Sequence, residues 1–387
     1  MFIPNSCHVF LPRTRLQRAN VIANKKHTVN TKDCKLATVE HKYKSICIVR
    51  LSALGDVLML VPLIRTLQLN FPNTKITWVI SRPAYDLVSG IEGVEFIVIN
   101  KPNSLSDYWR FKKQMRGRYF DVLLAAQACL RANLLYPFIN AARKIGYDKL
   151  RAKDLHRWFI NEEITPGNDH TLDGFLKFAD CLGIKKKEIS WELPIDDDCR
   201  IWANSQLPKV NGPIVLVNPA SSKSERSWQV ERYIEVIKYL ISAKHATVIL
   251  IGGPGAYDKS LGDAITANIT LTNLIGKTKP MQLLALIKQA DVLLCPDTGP
   301  SHMAVAVGTP VVALHAVTSS KVSGPYTFMD FVVDCYDEAV LKILNKTPET
   351  NIWGMHAHGS ETMKLVQVND VIAKLELVLS NIGPFDN

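Results

Sequence analysis

Short apolar runs alternate with helix-patterned stretches along most of this chain, and the alternation starts twice. Ser-Ile-Cys-Ile-Val-Arg-Leu (45–51) is an apolar run of strand length, the signature of a strand buried on both faces of a sheet. A turn at Ser52–Asp56 follows, then a helical pattern from Val57 to Asn70 that Phe71-Pro72-Asn73 ends. Ile76–Ile80 and Val94–Ile99 read as the next strands, Tyr108–Arg118 as a basic helix, and Val122–Ala126 as a further strand. Beyond a linker at Pro208–Pro213 the pattern begins again. It gives strands at Ile214–Val217, Thr247–Ile251, Val292–Cys295 and Val311–His315, and helices at Trp228–Ala243, Met281–Gln289 and Ser301–Val307. An amphipathic helix over 370–379 comes last. Repeated βαβ units specify parallel sheets with helices on both faces. The 387 residues suffice for two domains. The expected fold class is therefore α/β: two Rossmann-like, doubly wound domains facing a cleft, with ligands at the carboxyl ends of the strands.

Charge is distributed unevenly. The net charge is +10, but residues 1–44 hold nine Lys/Arg against Asp33 and Glu40, so +7 of it sits there. The remainder is nearly balanced and shows no basic face interleaved with aromatics, so nucleic acid is not an expected partner. The extension 1–44 reads as a disordered tail or an over-long start; attraction to anionic lipid is the sharper alternative. No apolar run approaches the length of a membrane-spanning helix. The eight cysteines include no C-x-x-C pair, which fits buried thiols in a reducing compartment and no zinc site. His356 and His358 form an isolated H-x-H, read as a polar loop.

Three loops each leave a strand and open a helix, where backbone N–H groups and the helix dipole favour negative charge. In Ser52–Asp56, Gly55 permits close approach, and Asp56 is either a helix-capping acid or a general base on a hydroxyl. In Asn218–Trp228, hydroxyls accompany Lys223 and Arg226; such a loop suits a diphosphate or is simply solvated. Pro296-Asp297-Thr298-Gly299-Pro300-Ser301-His302 is the most specific, an anion-binding helix start. Gly252-Gly253-Pro254-Gly255 lacks the full G-x-G-x-x-G, so a dinucleotide is not expected. Asp196-Asp197-Asp198 reads as a solvated turn and not as a metal-binding Asp-x-Asp at a strand end.

Together these loops resemble glycosyltransferase family 9, the lipopolysaccharide heptosyltransferases. Arg50-Leu51-Ser52-Ala53-Leu54-Gly55-Asp56-Val57 looks like the family's first motif, Asn218-Pro219-Ala220 through Arg226-Ser227-Trp228 like its donor loop, and Asp297–His302 like its Asp-[Ser/Thr]-Gly-x-x-His. Leu274-Ile275-Gly276-Lys277 followed by Met281 is similar to the segment before it. The resemblance covers roughly residues 45–380. It implies a GT-B fold, with an acceptor domain over 45–207, a nucleotide-sugar domain over 208–360, and a C-terminal helix and tail over 361–387. It implies inverting, metal-independent transfer of heptose from ADP-heptose to a Kdo or heptose of the lipopolysaccharide inner core, with no cofactor, in the cytoplasm at the inner face of the membrane. By the same resemblance Asp56 is the general base. Arg226, where the family commonly has Lys, meets the diphosphate. Ser221, Ser222, Met281, Asp297, Thr298, Gly299 and His302 bind the donor. Arg131 and His156 are the acceptor-side candidates. The rival readings are another sugar donor or acceptor, a nucleotide-sugar isomerase, and a binding module without turnover.

Overall fold

The computed structural model describes residues 43–208, 212–347 and 349–382. The extension 1–44, except its last two residues, and positions 209–211 of the expected linker lie outside them, as do residues 383–387 of the tail.

The first half forms one six-stranded sheet from β1 (Ser45–Val49), β2 (Lys75–Ser81), β3 (Val94–Ile99), β4 (Phe120–Leu124), β5 (Ala141–Gly146) and β6 (Glu162–Glu163). Its order is β3-β2-β1-β4-β5-β6, and every pairing is parallel. The helices are α1 (Leu54–Asn70), α2 (Arg82–Val88), α3 (Leu105–Met115) and α4 (Thr171–Cys181). The second half repeats the plan. It consists of β7 (Ile214–Val217), β8 (Thr247–Leu250), β9 (Thr272–Asn273), β10 (Val292–Pro296), β11 (Val311–His315) and β12 (Val333–Asp334), ordered β12-β11-β10-β7-β8-β9 and again parallel. Between and around them run α5 (Asp197–Gln206), α6 (Val230–Lys244), α7 (Ala256–Thr266), α8 (Pro280–Gln289), α9 (Gly299–Val307), α10 (Tyr336–Leu344) and α11 (Val368–Ile382). Two single turns of helix, Leu130–Asn133 and Ser320–Ser323, complete the set.

The apolar run at 45–51 explains its own position. Ile46 and Ile48 enter the larger core, and Cys47 and Val49 a second core on the opposite face of the sheet. Period-two alternation thus buries β1 from both sides. In each sheet the order reverses beside the first strand, between β1 and β4 and between β7 and β10. The loops that leave these strands open into a crevice, the place where doubly wound folds hold ligands.

The segment Asp196-Asp197-Asp198 is solvent-exposed, as expected, but opens a helix in place of a turn. Asp196 caps α5, its carboxylate accepting the Cys199 N–H at 2.7 Å. Short-range capping chemistry explains the acidic cluster. Helix α5 packs on α8, beside the second sheet.

The halves are tied together by named contacts. The His170 Nδ1 accepts the Leu172 N–H and its Nε2 bonds the Gly324 carbonyl at 2.9 Å. The Thr171 hydroxyl donates to Val322, and the Tyr326 hydroxyl to the Asp173 carboxylate. The Arg151 guanidinium lies 4.6 Å from the centre of the Trp353 ring, a cation–π contact. Burial of the His170 ring lowers its pKa to about 4.

An unfolded histidine binds its proton near pH 6.5, so below that pH the unfolded chain gains protons that folded His170 does not. The stability this neutral ring contributes is present above about pH 6.5 and is lost, at up to about 1.4 kcal/mol per pH unit, as pH falls toward the folded value. Denaturant midpoints measured from pH 7 to pH 4.5 should therefore fall more steeply for the native chain than for His170→Gln.

Candidate active site

At the first reversal point, Arg50 leaves the end of β1. One guanidinium nitrogen donates to the Ala126 carbonyl at 2.8 Å, beyond β4, and another pairs with Asp56. The Phe175 ring lies beneath it, 5.4 Å away. Burial opposes the Arg50 charge, but Asp56, with Tyr147 and Tyr136 beside it, more than offsets burial and raises its pKa. Asp56, in the first turn of α1, also accepts the Ala53 N–H at 3.1 Å. The capping and ion-pairing roles both use Oδ2. Among the described residues, Oδ1 has no hydrogen bond, and the side chain is 29% exposed. One oxygen is thus fixed and the other is unbonded on a partly exposed side chain, the arrangement a positioned base requires.

At the second reversal point, the loop after β7 and the loop after β10 are laced together. The Ser221 hydroxyl donates to the Asp297 carbonyl at 2.9 Å, and the Ser227 hydroxyl accepts the Ser221 N–H. Arg226 donates to Asp297 Oδ2 at 3.0 Å and to the Ser222 hydroxyl at 3.0 Å. The Thr318 hydroxyl donates to the same Asp297 oxygen at 2.7 Å. Burial pushes the Asp297 carboxyl up, yet His315, Arg226 and Thr318 together bring it below the usual range. Asp297 is therefore a buried anion that fixes Arg226, whose other nitrogen holds Ser222. Thr298 caps α9 with extended backbone, its carbonyl taking the Ser301 N–H and hydroxyl.

The two points meet at α1 and α9. A methyl placed on Gly55 would collide with the His302 imidazole, and one on Gly299 would reach Leu54 at 3.9 Å. His302 is buried. Burial lowers its pKa against the opposing pull of Asp297 and Asp56, so its ring is neutral at pH 7 and can both donate and accept.

Of the remaining expected residues, Met281 sits second in α8, half-buried against the core. Arg131 is exposed on the Leu130–Asn133 turn. His156 corrects the expectation of a basic acceptor ligand. It is 1% exposed, its Nε2 accepts the Tyr147 N–H at 3.0 Å, and its Nδ1 meets Asn133 Oδ1 at 2.8 Å. Burial lowers its pKa to about 4. Both nitrogens serve the fold, and the ring is uncharged. Sequence reasoning missed Arg50, Thr318 and His315. A charged residue closing an apolar strand was the available signal for Arg50, and position at the end of β11 or just beyond it was the signal for His315 and Thr318. His356, whose exposed ring feels the Arg226 charge, gave none, because only the fold brings that loop near Arg226. Among the described residues, no three carboxylate, imidazole or thiol side chains converge as a cation site requires.

Two parallel-sheet domains with opposed reversal points are the architecture of a GT-B glycosyltransferase. Solved structures share it. A glycosyl transferase family 9 protein of Veillonella parvula matches with a TM-score of 0.72 and 20% identity, over 87% of this chain and 97% of that one. The Escherichia coli heptosyltransferase WaaC with ADP matches at 0.65 and 18%, over 87% and 99%. In sequence, the model of glycosyltransferase family 9 (heptosyltransferase) matches residues 108–352. The lipopolysaccharide core heptosyltransferase OpsX of Haemophilus influenzae is 35% identical over 337 residues, 86% of this chain and 96% of that protein. Lipopolysaccharide heptosyltransferase 3 of Escherichia coli is 25% identical over 286 residues, covering 70% and 83%. The chain belongs to glycosyltransferase family 9 and is an enzyme of the heptosyltransferase class.

Two outcomes follow from the geometry. Gly55→Ala must displace the His302 imidazole and should cost roughly 10²-fold in kcat/KM with the circular dichroism spectrum unchanged; activity within about threefold of native would contradict the contact. Arg226→Lys keeps the charge but cannot reach Asp297 and Ser222 together, and should raise the KM for donor about tenfold more than it lowers kcat.

Proposed function

We propose that the enzyme transfers heptose from ADP-heptose to a Kdo or heptose of the lipopolysaccharide inner core, with inversion and without a metal. The observation that carries this reading is the convergence of the Asp56 carboxylate, from one domain, with the Asp297–His302 helix start and Arg226 from the other. The names of the two curated relatives support the glycan class.

The chemistry divides between the domains. An acceptor hydroxyl is a poor nucleophile, so Asp56 takes its proton as the new oxygen–carbon bond forms. The bond from the anomeric carbon to the phosphate oxygen breaks, and its electrons leave with ADP. Arg226 and the N-terminus of α9 stabilise that developing charge. Ser222, exposed and already bonded to Arg226, supplies a further hydroxyl to the diphosphate, and Met281 an apolar wall for the base. His302 stands between Asp56 and the leaving group. A neutral ring there can bond the sugar without repelling the cationic character of its anomeric carbon. Attack from the Asp56 side, opposite the diphosphate, gives inversion.

The acceptor in this reading is lipid-anchored and the donor cytosolic, which puts the reaction at the inner face of the cytoplasmic membrane. Among the described residues no helix is long and apolar enough to cross a membrane, so association there is peripheral in this proposal.

Incubation with ADP-heptose, Kdo-bearing lipid A and excess chelator should add the mass of one heptose to the acceptor. Conversion of the donor with no acceptor present would favour an isomerase, and donor binding without product a binding module. Asp56→Ala should lower kcat by at least about 10²-fold and leave donor affinity nearly unchanged. Retained turnover in that variant would remove Asp56 as the base.

A further inference from the structure

The first domain carries an exposed apolar and basic face that the transfer chemistry leaves unused. Leu105 and Trp109 project from α3 at 80% and 66% exposure, and Trp158 reaches 78%. Leu130 and Leu155 stand half out of the surface beside them. Three separate segments supply these side chains, and hydrogen bonds join the segments. The Tyr108 hydroxyl donates to the Arg131 carbonyl, Asp154 accepts the Leu130 N–H, and the Asn133 amide donates to the carbonyls of Lys153 and Asp154. Beneath them Phe111, Met115, Ala132, Leu135 and Tyr136 share the second core. The face is therefore a built surface on a packed base.

Cations surround the apolar tips. Lys113, Arg116, Arg131, Lys149 and Lys153 are exposed and make no ion pair among the described residues. The Lys112 ammonium lies 4.6 Å from the Trp109 ring centre. Lys149 and Lys153 line a surface cavity of about 510 Å³ together with Trp158, Asp154 and the Arg157–Glu163 ion pair.

We propose that this face docks the enzyme on an anionic lipid bilayer. Indole and leucine tips enter the boundary between headgroups and acyl chains, while the lysines and arginines meet the negative surface. Large apolar tips ringed by a surplus of cations fit a bilayer better than either a nucleic acid, which leucine tips do not stack on, or an apolar protein groove, which would leave the cations unmatched. The segments from Leu130 and Lys149 follow the carboxyl ends of β4 and β5, the sheet edge that holds Arg50 and Asp56. Docking there brings the crevice to the lipid surface, which deepens the proposed use of a lipid-anchored acceptor; the docking itself needs neither donor nor acceptor.

The test is cosedimentation of the full chain with vesicles of phosphatidylglycerol and phosphatidylethanolamine, against vesicles of phosphatidylcholine. Binding should be about tenfold tighter to the anionic vesicles and weaken with salt. Trp109→Ser with Trp158→Ser, and separately Lys113→Glu with Lys149→Glu, should each weaken it about tenfold. Both variants should keep transfer to a water-soluble, delipidated Kdo glycan within about twofold, which separates docking from catalysis and from misfolding. Equal binding to both vesicle types overturns the proposal. So does binding that survives both substitutions, which would move the lipid contact to the basic residues 1–44. Absence of vesicle binding together with a native dimer that the Trp variant disrupts would make the face a self-association surface instead. Vesicle binding with no transfer to any glycan would sustain the docking face and overturn only the proposed reaction.

Discussion

Gly55 has no side chain, and the His302 imidazole occupies the space where one would stand. This single close approach sets the distance between two helix starts, each at the reversal point of its own sheet. Parallel βαβ topology places the loops after β1 and β7 at the carboxyl edges of their sheets, but topology alone does not bring two domains face to face. The missing Cβ permits that close approach, with the His170 and Tyr326 bonds holding the flank. A crevice of this kind can present a carboxylate from one side and a cation with helix N–H groups from the other, which no single doubly wound domain could do for one bond.

Electrostatics then decides which groups face the crevice charged. Two carboxylates sit near its centre, each bonded through only one oxygen to an arginine. The pairs differ in burial. Asp297 is 6% exposed, and an unpaired charge at such a site would cost several kcal/mol; Arg226 and Thr318 remove that cost and are immobilised in turn. Asp56 keeps contact with solvent and retains an unbonded oxygen. The same residue type therefore serves as a structural anchor in one loop and as a reactive group in the other, and environment makes the difference.

Much of this was legible in the sequence. β3, β7 and β11 occupy the expected residues, since apolar runs bounded by turns admit little else. Helix α1 begins three residues earlier than its apolar pattern because Asp56 caps Ala53 from within the first turn. β6, β9 and β12, two residues each, and the polar helix α5 carried too little periodicity to read. Within the candidate site, Asp56, Arg226 and Asp297 stand in the three loops that the sequence singles out, and the family resemblance, not loop position, gave them their expected roles. His156 was misread because a histidine between Leu155 and Arg157 looks basic and exposed, whereas its ring turns inward to bond Tyr147 and Asn133. Arg50 passed unnoticed as a site residue because its role depends on Ala126, brought near only by the β1–β4 pairing.

The central claim is that one reaction centre is shared by both reversal points. A crystal structure with an unreactive analogue of ADP-heptose and a soluble Kdo glycan tests it most directly. The account predicts the diphosphate against Arg226 and the start of α9, and an acceptor hydroxyl within about 3 Å of the Asp56 carboxylate on the opposite face of the sugar. A diphosphate bound away from Arg226, or an acceptor hydroxyl out of reach of Asp56 with the domains closed, would contradict it.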